Sequence, residues 1–147
     1  ATLPGFSRAP FGVTLKEVDD RTFWIGRTKI LPRKVTHSPR LHCLGYRLEY
    51  DGRAFAYSGD SQYCTSLVRL CGDADLAVLD CSFPANRPGP VHLHAGQCGQ
   101  VAHEAGVGQL ILSHFYPIAD QYDVKAQAGE RYKGKIRKGR DLLTVEL

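Results

Sequence analysis

The sequence predicts a single α/β (α+β) unit, a mixed sheet with helices packed over one face. Three observations predict it. Asp51-Gly52 separates two alternating apolar segments, the strongest short signal for an antiparallel hairpin. Leu76-Ala77-Val78-Leu79 and Leu110-Ile111-Leu112 are short continuous apolar runs, the pattern of strands buried on both faces. Beside those runs, apolar residues recur at helical spacing. At 147 residues and 43% hydrophobic, the chain suits one core and is too short for two ordinary domains, so residues 1–147 are read as one unit.

The elements follow in order. Val13 to Val18 reads as a strand, turned at Asp19-Asp20 into a second short strand around Phe23-Trp24-Ile25. Thr28 to Thr36 is a third, broken or edged by Pro32. Gly45 to Tyr50 and Arg53 to Ser58 form the hairpin. Gln62 to Cys71 places Cys64, Leu67, Val68 and Cys71 at helical spacing, ahead of the buried strand Asp75 to Cys81. Ala95 to Ala105 is a helix stopped by Gly106, and Gly108 to Ser113 is the second buried strand. Gln121 to Tyr132 reads as a third helix. Lys135 to Arg137 and Leu142 to Leu147 close the chain as strands. Helices on one face leave the other face of a two-sided strand in need of cover, and nothing in this pattern supplies it.

Composition narrows the function classes. No stretch approaches the roughly 20 apolar residues that span a bilayer. Ala1 to Pro10 has neither the basic start nor the apolar run of a signal peptide. The five cysteines, Cys43, Cys64, Cys71, Cys81 and Cys98, include no C-x-x-C pair; reduced thiols in a cytoplasmic protein are the simplest account. The chain contains no Met, which predicts a processed or truncated chain. Net charge is +4, with Lys133, Lys135, Arg137, Lys138 and Arg140 clustered near the end. That cluster fits a lysine-protected edge strand or a surface that attracts an anionic substrate such as a phosphodiester or RNA.

Chemistry is expected where polar residues end buried strands, because sites gather at such sheet ends. Asp60 ends Tyr57-Ser58-Gly59-Asp60, with Gly59 allowing a sharp turn. His114 ends Leu112-Ser113-His114, and His37 ends Lys34-Val35-Thr36-His37. Two imidazoles and a carboxylate suit zinc, iron or manganese.

In context these segments resemble the metallo-β-lactamase-fold hydrolases. The resemblance rests on Gly45-Tyr46-Arg47-Leu48-Glu49-Tyr50-Asp51-Gly52, Ser58-Gly59-Asp60, Ala74 to Phe83, His92-Leu93-His94-Ala95, and Leu110-Ile111-Leu112-Ser113-His114-Phe115. It covers about residues 28 to 147 and is similar to the ribonuclease Z-like and phosphodiesterase-like branch. It implies an αββα sandwich, of which this chain is the second β-layer with its outer helices. It further implies two divalent metal ions, zinc with manganese or iron as alternatives, that activate a water for attack on an ester. Asp60 is then the bridging carboxylate, His37 a ligand of one ion and His114 of the other. His42 is the alternative to His37, because the interval before Gly45 is longer than in family members. His92 is the implied proton donor to the leaving group, and His94 stands where the family usually has Thr.

Two departures shape the expectation. The family's H-x-H-x-D-H signature does not occur in these 147 residues, which predicts that the N-terminal half is absent and that this chain has little activity by itself. Phe115-Tyr116-Pro117 replaces the Ser and Arg-Tyr that follow the last histidine in ribonuclease Z, which favours the phosphodiesterase-like branch over tRNA processing. The expected function is metal-dependent hydrolysis of a phosphodiester or other ester, with an anionic small molecule or a nucleic acid as substrate and no membrane. The expected partner on the uncovered face is the missing half or a second copy of the chain. The alternative is a metal-free relative that acts as a structural or nucleic-acid-binding module.

Overall fold

The structure, a computed structural model, describes residues 16–147. One sheet holds seven strands whose spatial order follows chain order. They are β1 (Phe23–Ile25), β2 (Thr28–Lys34), β3 (Leu44–Tyr50), β4 (Arg53–Tyr57), β5 (Leu76–Asp80), β6 (Gln109–Ser113) and β7 (Lys135–Lys138). Strands β1 to β4 are antiparallel to one another in sequence, whereas β4 to β7 are parallel. The connections explain the change. Antiparallel neighbours need only a short link, while parallel neighbours need a crossover. Here the crossovers carry α1 (Thr65–Leu70), α2 (Ala95–Glu104) and α3 (Val124–Gly129), the last preceded by a 3-10 turn at Pro117–Gln121. At the hairpin, Asp51 and Gly52 have φ of 49° and 75°, the doubly left-handed turn that matches strand twist.

The core lies between the sheet and the helices. Ala54, Ala56, Ala77, Leu79, Leu110, Leu112 and Ile136 face Leu67 and Leu70 of α1, Cys98 and Val101 of α2, and Val124 and Ala128 of α3. All five cysteines are free thiols, and Cys71, Cys81 and Cys98 are buried. The opposite face carries the paired residues Leu48 and Phe55, and Tyr46 and Tyr57. Ile30, Leu76 and Ile111 are buried, but Ile25, Tyr50 and Tyr57 stay 66%, 49% and 43% exposed. The C-terminal Leu147 shares a cavity of about 510 Å³ with Leu48, Tyr50 and Phe55, so the tail lies against this face without closing it.

The structure corrects several boundaries. Of the strand expected at 13–18, residues 13–15 lie outside the described residues, and 16–18 are irregular. The strand expected at 142–147 does not form: Leu142 sits in a turn at φ 60°, which breaks the extended backbone. The third helix begins only at Val124, because the Asp123 side chain accepts from the Ala126 N–H and caps it there. Pro32 does not break β2. The pairing of β1 reaches only to Ile30, so the proline lies on an unpaired stretch of edge. Strand β7, rich in lysine, is the other sheet edge.

Candidate metal centre

Because β2 is antiparallel to β3 and β3 to β4, strands β2, β4, β5 and β6 all point their C-terminal ends at one side of the sheet. The segments that leave those ends carry His37, Asp60, Asp80 and His114. The turn at Asp60 needs its glycine: Gly59 has φ 60°, and a Cβ there would stand 2.7 Å from the Leu44 carbonyl oxygen. Buried Ser58 fixes the turn further, its hydroxyl accepting from the Asp80 N–H at 2.8 Å and donating to the Gly59 carbonyl at 2.6 Å. Asp60 emerges half exposed, with Oδ1 3.5 Å from His114 Nε2.

Hydrogen bonds orient two of the histidines. Nδ1 of His37 lies 2.7 Å from the Val91 carbonyl oxygen. A carbonyl only accepts, so Nδ1 carries the proton and Nε2 keeps a lone pair for a ligand. Val91 holds that carbonyl with φ at 59°, a strained setting for a β-branched residue. Nδ1 of His92 lies 2.7 Å from Asp80 Oδ2, and its Nε2 lies 3.1 Å from the Tyr116 hydroxyl. Asp80 is 2% exposed and also accepts from the Ser61 N–H, the Ser82 N–H and the Ser82 hydroxyl. Surrounded by donors, the carboxylate accepts a further hydrogen bond from His92 Nδ1–H, which turns Nε2 toward the open side and the tyrosine.

The rings cluster tightly. His37 and His92 have centroids 4.8 Å apart, and His92 and His114 are 5.3 Å apart. His37, Asp60 and His92 each offer a donor atom within 4.8 Å of the others, and Asp80, His92 and His114 do the same. Imidazole nitrogens and carboxylate oxygens at this spacing fit a zinc, iron or manganese ion. In the second group the Asp80–His92 contact is already a 2.7 Å hydrogen bond, so Asp80 serves to anchor His92.

The four residues singled out in the sequence, His37, Asp60, His92 and His114, therefore meet in one place. His42 does not join them: it is exposed in the loop before β3 and belongs to neither group. His94 has another task. Its Nδ1 accepts from the Gln97 N–H at 3.3 Å while Gln97 Oε1 accepts from the His94 N–H, a reciprocal cap at the start of α2. A threonine would do the same work at that position. Burial, and secondarily the Arg131 charge, push the His94 pKa below its ordinary 6.5, which keeps Nδ1 free to accept. His103 is exposed on α2.

Sequence reasoning missed Asp80 and Tyr116. Asp80 had a signal: it ends a buried strand just as Asp60 does. Tyr116 had none, because its place beside His92 depends on the turn after His114, where φ is 58° and Ser82 binds both the His114 carbonyl and the Tyr116 N–H.

Comparison with known proteins agrees with this geometry. The family described as "Beta-lactamase superfamily domain" matches residues 3–115. The uncharacterized protein Rv1339 of Mycobacterium tuberculosis is 31% identical over 121 residues, 80% of this chain and 44% of that protein. A protein named ribonuclease Z from Mycobacterium marinum is 31% identical over 154 residues, 95% of this chain and 55% of that protein. The crystal structure of the metallo-β-lactamase fold protein YhfI from Bacillus subtilis superposes with a TM-score of 0.74 at 26% identity, covering 82% of this chain and 50% of that one. The chain thus spans about half the length of these relatives. With the family match, the shared fold and the histidine–aspartate cluster in agreement, this chain belongs to the β-lactamase superfamily, in its metallo-β-lactamase fold.

Proposed function

We propose that this chain carries part of the active site of a metal-dependent hydrolase acting on a phosphodiester or another ester. The supporting observation is the convergence of His37, Asp60, His92 and His114 at one sheet end, with His37 and His92 each oriented through Nδ1. Asp60, His37 and His114 would hold the metal, with His37 and His114 on either side of the carboxylate. When bound, divalent metal would supply positive charge at the substrate oxygens and acidify a water for attack. The protein's own residues do the rest. Val91 and Asp80 hold the two imidazoles with the proton on Nδ1, which leaves His92 Nε2 able to take up the proton that the attacking water loses and pass it to the departing oxygen. The Tyr116 hydroxyl occupies that nitrogen until a substrate takes its place.

On this reading, a chain without H-x-H-x-D-H would hold metal more weakly and turn over more slowly than one that carries the motif. The test is hydrolysis of bis(p-nitrophenyl) phosphate by the metal-loaded chain. Turnover above that of free zinc or manganese, lost in Asp60→Ala, supports the reading. A metal-loaded chain no faster than free metal would leave a binding module instead.

A further inference from the structure

Away from the metal centre, the helix side of the antiparallel strands holds a second polar cavity. It measures about 380 Å³ and is lined by Leu31 and Arg33 of β2, Arg47 of β3, and Ser66, Arg69 and Leu70 of α1. Three arginines thus line one cavity, and like charges gathered on one surface repel unless a counter-charge joins them. Arg47 has its counter-charge. Its Nε donates to Glu49 at 2.8 Å, and it also donates to the Leu70 and Gly72 carbonyls. Glu49 is shared with Lys29, so its single charge is already divided.

The other two arginines lack one. Arg33 donates only to the Asp20 and Pro32 carbonyls, and among the described residues neither Arg33 nor Arg69 forms an ion pair. Residues 1–15 contain no Asp or Glu, so no side chain there can supply the missing carboxylate.

We propose that this cavity is a phosphate-binding subsite, with the oxyanion held between Arg33 and Arg69 and with Arg47 as a fixed positive floor. A guanidinium fork matches two phosphate oxygens at once, which suits arginine better than lysine to this task. Leu31 and Leu70 add an apolar wall against which an organic group attached to the phosphate can pack. The subsite does not depend on hydrolysis at the metal centre.

The test is calorimetric titration of the whole chain in EDTA, which keeps the metal centre from holding anions. Inorganic phosphate and adenosine monophosphate are the two probes. Saturable binding at one site is expected, weakened about tenfold or more in Arg33→Ala and in Arg69→Ala, more in Arg69→Glu, and unchanged in Asp60→Ala. It should also weaken as salt rises. Equal affinity for the two probes assigns the subsite to free phosphate; tighter binding of the nucleotide assigns it to a phosphomonoester that uses the leucine wall. Circular dichroism confirms that each variant is folded. No saturable binding, or binding that survives both alanine substitutions, overturns the proposal.

Discussion

The two halves of the sheet follow different rules. In the parallel half, β5 and β6 bury nearly every side chain, and their polar residues appear only where the strands end. In the antiparallel half, β2 and β3 place charged residues on the helix side, where Lys29, Arg33, Arg47 and Glu49 stay half exposed. The difference teaches where each kind of site can form. Strands buried on both faces hold their ends rigidly, so Asp80 and His114, which follow β5 and β6, offer donor atoms within 4.8 Å of each other and of His92. Strands with a charged face instead gather an electrostatic surface that needs no such precision.

The sharpest way to break this comparison is to cut into each half. Leu110 is fully buried in β6, and Leu110→Ala should cost about 2–5 kcal/mol. Trp24 of β1 is 62% exposed, and Trp24→Ala should change stability by no more than about 0.5 kcal/mol. Urea denaturation midpoints measure both, and similar losses would mean that the two halves share one core.

The next effect is smaller and lies at the strand ends. Asp80→Ala strips the buried partner from His92 Nδ1, the Ser61 N–H and the Ser82 hydroxyl. It should cost about 1–3 kcal/mol in the same denaturation experiment. Turnover of bis(p-nitrophenyl) phosphate by the metal-loaded chain should fall by about 100-fold or more, the usual effect of losing a positioned proton donor, with metal affinity little changed. Unchanged turnover would show that Asp80 does not position His92 to donate a proton.

The smallest effect concerns pH. His94 has a folded-state pKa below its ordinary 6.5, so the unfolded chain takes up the proton first on acidification. Stability from this group is complete above pH 6.5 and declines as pH falls through 6.5 toward the depressed folded value. His94→Thr keeps a capping side chain without the titration. The stability of that variant, followed from pH 7.5 down through the same range, should fall less steeply than that of the parent. An identical slope would assign the pH dependence to other groups.

How much of this was legible in the sequence follows the same division. The Asp51-Gly52 turn and the runs at Leu76 and Leu110 were readable because each rests on local chemistry: a doubly left-handed turn, or side chains too apolar to face water on either side. The ends of elements were not. Leu143, Val145 and Leu147 alternate as a strand would, but they follow a turn that takes the chain away from the β7 edge. The third helix was overlong because Asp123 looked like one more polar residue, when it is the cap. Within the site, Asp60 and His114 could be read from their place after apolar strands. The separation of His37 from His42 needed the loop that brings Val91 to His37, and the pairing of Asp80 with His92 spans a turn whose path no spacing rule gives.

Titration of the chain with zinc, followed by calorimetry and by metal analysis after gel filtration, tests the central claim most directly. The account predicts saturable binding of one or two equivalents, lost in Asp60→Ala and in His114→Ala and retained in His42→Ala. No saturable binding, or binding that depends on His42 and survives the loss of Asp60, would contradict it.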